Sequence, residues 1–214
     1  LVLLKRRLSF EGVYEKLDAL ERLLLEDLTN IRGSRQVTRD MMLTQLLELE
    51  QVLISQHDSL FLEMLQSFRR KVQHFGFHFA SLDIRQDSRV IENAFSAVVR
   101  LYPNLFPSDF NQLSSSQTIH WLLNIKGKVD PAQFDDALVR DTLESFAVIR
   151  EIQASNGPLG AHRYIISNCR GAIDMSKVAA LARLCAWGDE PLTLDIVPLF
   201  ETIDDLVVCD QVMN

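Results

Sequence analysis

A chain of 214 residues with 47% hydrophobic content can bury a sizeable core and is not a disordered polypeptide. Its formal net charge of −7 argues against a nucleic-acid partner, because such binders gather lysine and arginine into a patch. No apolar run approaches the ~20 residues of a membrane span, and the cysteines at 169, 185 and 209 make neither an even framework nor a C-x-x-C pair, so neither disulfides nor a zinc site is expected.

The opening LVLLKRRLSF has too short an apolar run for a signal peptide and carries its charges on the wrong side of it, so a cytoplasmic, reducing location is expected. From Glu11 to about Ile31, Val13, Leu17, Leu20, Leu24, Leu28 and Ile31 recur at spacings of three and four, which predicts an amphipathic helix ended by Gly33. A second helix should start near Thr38 and run through Met42, Leu46, Leu49 and Leu53, and a third from Ser59 through Leu62, Leu65, Phe68 and Val72. The run Arg69-Arg70-Lys71 reads as helix-end charge. Residues 1–74 therefore read as a helical region.

At Phe75 the period changes to two, and residues 75–214 read as a second region. Between Phe75 and Arg85 the odd positions Phe77, Phe79, Ser81, Asp83 and Arg85 grade from aromatic to charged, and the even ones, Ala80, Leu82 and Ile84, stay apolar. This predicts a strand covered on both faces in a parallel sheet, with Arg85 at its carboxyl end and His78 as a hydrogen-bonded core residue. Ser88 should cap a helix through Ile91, Phe95 and Val98 that stops before Pro103, and Tyr102 to Ser115 is the clearest loop. Ser114 with Gln117 fits a capping box for a short helix through Trp121 and Ile125. Pro131 should open a longer helix to about Ala154, ended by Asn156-Gly157-Pro158.

A second strand is expected at Tyr164 to Asn168, delivering Ser167 and Asn168 to a strand end, then a helix from about Asp174 to Trp187 with Gly188 just past it. The third strand, LDIVP, should end so that Glu201 stands between it and a helix beginning near Thr202 to Asp205. Alternating strands and helices imply parallel pairing, and in such folds functional groups gather where the strands end. The fold class expected is α/β and predominantly helical: a partial (β/α)8 TIM barrel with about three parallel strands and an N-terminal helical region.

Two residues are candidates for chemistry. Glu201 is a hard oxygen ligand suited to magnesium or manganese, which usually take one or two protein carboxylates and keep sites for water and a phosphorylated substrate. The plainer alternative is an acid dressing a helix N-terminus beside Asp204 and Asp205. Arg85 offers a planar fork for a phosphate or carboxylate, its alternative being an ordinary salt bridge to Asp83 or Asp87. The histidines at 57, 74, 78, 120 and 162 show no ligand spacing, and no G-x-S-x-G, G-x-G-x-x-G or P-loop is present.

Through FGFHFASLDIRQDSR, YIISNCRGAID and above all PLFETIDDL, spread over Phe75 to Leu206, the sequence resembles phosphoenolpyruvate carboxylase, bacterial members closely. The resemblance implies a (β/α)8 barrel carbon–carbon lyase, normally a homotetramer, that joins bicarbonate to phosphoenolpyruvate to give oxaloacetate and phosphate with Mg2+ or Mn2+. It implies further that Glu201, the glutamate of PLFET, is a metal ligand and that Arg85, the arginine of LDIRQ, is the catalytic residue gripping the substrate phosphoryl group. The family's TAHPTE, GYSDS-x-KD and FHGRGG stretches have no counterpart here, and Ser167 to Gly171 departs from the form common in the family. The chain is therefore expected to be a middle fragment, inactive alone. Two rival readings are another divalent-metal barrel acting on an enolate or pyruvate, and a non-catalytic helical interaction module.

Overall fold

Apolar residues at helical spacing become buried stripes. In the computed structural model, which describes residues 1–29, 37–78 and 80–213, α1 (Val2–Arg7), α2 (Val13–Thr29), α3 (Arg39–Gln56) and α4 (Leu62–Phe75) precede the first strand. Ile31 and Gly33, expected at the end of the helix that begins near Glu11, and Phe79 lie outside the described residues. Two compact units divide between Ala80 and Ser81, residues 154–157 belonging with the first; the sequence placed its boundary between His74 and Phe75.

The first unit is helical. Leu17, Leu20, Leu46, Leu49, Leu53 and Leu65 bury in one core. Thr38 caps α3 by accepting from the Met41 N–H at 3.1 Å. Two expectations need correction. α4 begins at Leu62 rather than Ser59, because Asp58, Ser59 and Phe61 adopt φ of 48°, 60° and 59°, outside the helical region. Arg69 is no dipole ornament: its Nε donates at 2.5 Å to Glu50, whose side chain is only 7% exposed.

The second unit carries three parallel strands in the order β1-β2-β3: Asp83–Asp87, Arg163–Ser167 and Asp195–Pro198. Ile84 stands beside Tyr164 and Tyr164 beside Ile196, while Arg85 stands beside Ile165 and Ile165 beside Val197. The first row faces a helical layer of α5 (Ser88–Leu101), α6 (Ser115–Leu123), α7 (Ala137–Asn156) and α8 (Ala172–Ala182), with Tyr164 stacked on Phe146 at 5.4 Å. The second row is the other face of the sheet: Arg85 is exposed, and Val197 and Leu199 are each 36% exposed. The observed architecture is thus a mostly helical protein with a small parallel sheet, one face covered by helices.

The first strand begins later than its sequence pattern implied. Phe75 ends α4, Gly76 turns the chain at φ 50°, and Phe77 packs against the core of the helical unit. Pairing starts at Asp83, where Arg163 first lies alongside. His78 accordingly sits in a turn, not on a strand. Three end signals also differ. Asp87 rather than Ser88 caps α5. Pro131 opens a 3-10 turn, Pro131–Gln133, and α7 starts at Ala137 where Asp136 accepts from the Leu138 and Val139 amides at 2.9 and 3.3 Å. The helix after β2 starts at Ala172 and passes into a π turn, Arg183–Trp187, closed by Gly188 at φ 57° as expected. The loop after α5 holds the turns Pro103–Leu105 and Phe110–Gln112, and the Ser114–Gln117 capping box is present. α9 (Ile203–Met213) follows β3. Among the described residues no helix is long and apolar enough to cross a membrane.

Candidate active site

The carboxyl ends of the three strands deliver Asp87, Ser167 and, beyond Pro198, Glu201. Pro198 lacks an N–H and terminates β3, but Leu199 still donates to the Ile166 carbonyl at 2.9 Å, which carries the chain along β2 to its end.

Glu201 is exposed, in the short connection between β3 and α9. The capping of α9 falls to other residues. Asp205 Oδ2 accepts from the Thr202 and Glu201 amides at 2.8 and 3.0 Å, and Thr202 Oγ1 accepts from the Asp205 N–H at 3.1 Å, a reciprocal box. The Thr202 groups and the Glu201 N–H hold the Asp205 carboxyl below its ordinary range. With the cap supplied by Asp205, the Glu201 carboxylate is not engaged there. Its Oε2 accepts from the Asn168 N–H at 3.3 Å, and among the described residues its other oxygen accepts nothing.

Arg85 stands on the open face of the sheet. The acids that sequence reasoning offered as its partners are committed elsewhere: Asp83 to Arg163 at 3.4 Å, and Asp87 to Arg89, whose Nε and backbone N–H reach Oδ1 at 2.9 and 2.8 Å. Among the described residues the Arg85 guanidinium makes no hydrogen bond or ion pair, so its donors are open to solvent or ligand.

Asn168 joins the strand ends. Its Nδ2 donates to Asp87 Oδ2 at 2.6 Å, its carbonyl accepts from the buried Ser88 hydroxyl at 2.7 Å, and its N–H faces Glu201. Its backbone is left-handed, φ 51°, which asparagine tolerates better than most residues. Arg89 first, then Asn168, pull the Asp87 carboxyl well below the usual carboxylate range. The sequence placed Ser167 and Asn168 at a strand end but gave no sign of these bonds, since Asp87 lies 81 positions away. Ser167 stands beside Asp87 in the strand register.

A divalent cation is suited by an exposed carboxylate with a free oxygen, which Glu201 supplies. Among the described residues no cluster of three or more His, Cys, Asp or Glu could hold a metal by itself. Glu201 offers one carboxylate oxygen of the hard kind such an ion takes.

A family model described as phosphoenolpyruvate carboxylase matches residues 7–214. Among curated relatives, the phosphoenolpyruvate carboxylase of Nitrosomonas europaea is 36% identical over 160 residues, covering 70% of this chain and 17% of its own length. That of Prochlorococcus marinus subsp. pastoris is 33% identical over 159 residues, covering 71% and 16%. That of Gloeobacter violaceus is 34% identical over 149 residues, covering 66% and 16%. The aligned region thus spans roughly a sixth of the length of these relatives.

Proposed function

Because the chain belongs to the phosphoenolpyruvate carboxylase family, we propose that it is part of an enzyme that carboxylates phosphoenolpyruvate with bicarbonate, giving oxaloacetate and phosphate. The observation that carries this reading is that a chain matched by that family over residues 7–214 holds an uncommitted Arg85 on β1 and, just past β3 of the same sheet, a Glu201 with one carboxylate oxygen unengaged. The three strands would belong to a (β/α)8 barrel whose polar mouth receives both residues, and the assembled enzyme would be a homotetramer.

Arg85 would grip the phosphoryl oxygens, fixing the phosphorus for attack by a bicarbonate oxygen and offsetting charge in that transfer. As the new P–O bond forms, the bond from phosphorus to the enol oxygen breaks, leaving carboxyphosphate and the enolate of pyruvate. Carboxyphosphate then releases carbon dioxide and phosphate, and the enolate carbon takes up the carbon dioxide. Glu201 would contribute one carboxylate oxygen to Mg2+ or Mn2+, an ion that when bound offsets the negative charge on the enolate oxygen.

The test uses the full-length protein and steady-state kinetics in a coupled oxaloacetate assay. Glu201→Gln is expected to raise the metal concentration for half-maximal rate by about tenfold or more. Arg85→Ala is expected to raise KM for phosphoenolpyruvate about tenfold to a hundredfold, the loss of one or two charge-assisted hydrogen bonds. An unchanged metal requirement in Glu201→Gln would remove Glu201 from the metal site.

A further inference from the structure

The three strand ends are tied by a single residue, and that residue touches the candidate metal ligand. We infer that Asn168 is a positioning residue that fixes Glu201 for the divalent cation, an inference that rests on the reading of Glu201 as a ligand.

The N–H of Asn168 donates to Glu201 Oε2 at 3.3 Å, and the other carboxylate oxygen has no donor among the described residues. A carboxylate on a short connection outside regular structure has several rotamers, and one fixed donor selects among them. Outer-shell hydrogen bonds of this kind orient a ligating carboxylate and typically matter ten- to a hundredfold in metal affinity.

The direction of that N–H depends on the left-handed backbone of Asn168. Two bonds from other elements hold it there. The side-chain amide is anchored at 2.6 Å to Asp87, itself gripped by the Arg89 fork, and the carbonyl is held at 2.7 Å by Ser88, a residue 1% exposed. The end of β1 therefore fixes the peptide after β2, and that peptide fixes the acid after β3. The residue type matters because the position needs both left-handed φ and a side-chain donor: glycine supplies only the first, alanine neither.

The experiment measures Mn2+ binding to the metal-stripped full-length protein by electron paramagnetic resonance, without substrate, beside the metal dependence of the rate. Asn168→Ala is expected to weaken Mn2+ binding about tenfold, the lower end of the outer-shell range because the bond is long. Asn168→Gly keeps the left-handed backbone and the N–H but loses the Asp87 anchor, and should weaken binding less than Asn168→Ala, by about threefold. Ser88→Ala releases the Asn168 carbonyl without touching Glu201 and should also weaken binding, which keeps the test open if Asn168→Ala does not fold. Equal loss in the glycine and alanine variants would show a merely structural tie and overturn the inference, as would unchanged binding in Ser88→Ala. If Glu201→Gln binds Mn2+ like the parent, the ligand assignment falls and the inference with it. If Glu201→Gln weakens binding and Asn168→Ala does not, only the role of Asn168 is rejected.

Discussion

Gln153→Met should unlock the amino ends of two strands. The Gln153 side chain, 6% exposed, donates from Nε2 to the carbonyls of Ala161 and Thr193 at 2.7 and 2.8 Å, and its Oε1 accepts from the Thr193 hydroxyl at 2.6 Å. The same hydroxyl oxygen accepts from the Trp187 indole at 3.1 Å. Ala161 lies just before β2 and Thr193 just before β3, so one amide sets the entry of both. Methionine nearly conserves the volume, and the change therefore isolates the polar loss. Three bonds at a net ~0.5–1.5 kcal/mol each, with the Ala161 carbonyl losing its partner in a buried place and the Thr193 carbonyl in a part-buried one, give a cost of about 2–4 kcal/mol. At a tenfold change per 1.4 kcal/mol, amides of β2 and β3 that exchange through local opening should exchange roughly thirty- to several-hundredfold faster. Hydrogen–deuterium exchange with peptide mass spectrometry on the full-length protein reads this locally. Unchanged protection in both strands, or a loss equal in the α3 and α4 peptides, would falsify the assignment of this amide as their lock.

Two further outcomes follow from buried chemistry. Arg69→Ala leaves the Glu50 carboxylate without its 2.5 Å partner and should destabilise the helical unit by about 3–5 kcal/mol, seen as faster proteolysis between α3 and α4; replacing both residues with methionine should restore much of the resistance, and equal cleavage of the single and double variants would contradict the pairing. Burial pushes the Cys185 thiol up to about 12, so the folded state favours the protonated form: this contribution to stability is full below the unfolded value near ~8.5 and is lost as pH rises toward the folded one. Iodoacetamide at pH 8.5 should therefore leave Cys185 unmodified until the protein is denatured, and a native-state label found there by peptide mapping would contradict this.

What the sequence showed and what it hid divides by the range of the interactions. The leucine spacing in α2 and α3 reports a face that each helix buries against its neighbours: it held for Met42, Leu46, Leu49 and Leu53 of α3 and for Val13, Leu17 and Leu20 of α2, but Leu28 of the same stripe is exposed. FGFHFA has the composition of a strand, but a strand needs a neighbour, and Arg163 lies alongside only from Asp83 onward. Because side chains alternate with period two, the delayed start left Asp83 and Arg85 on the face to which the pattern assigned them. Pro131 misled because a proline with fixed φ opens a 3-10 turn as readily as an α-helix, while the true start of α7 was marked by Asp136. Glu201 was legible because Pro198 sets the end of a strand from sequence alone. The Asn168 bonds were not, for nothing in SNCRG signals Asp87 or Glu201, and such contacts exist only once the sheet has formed.

The two ends of the sheet solve opposite problems. At the amino end the buried Gln153 spends both its donors and its acceptor on the chain, on Ala161 and Thr193. Arg85, in the middle of β1 rather than at the carboxyl end that the sequence implied, keeps its donors, and Glu201, beyond the end of β3, keeps one oxygen, while Asp83, Asp87 and Asp205 are engaged by Arg163, Arg89 and the turn into α9. Their pairing elsewhere is what leaves one cationic fork and one anionic oxygen available, which is the chemistry an anionic substrate and a divalent ion would together require.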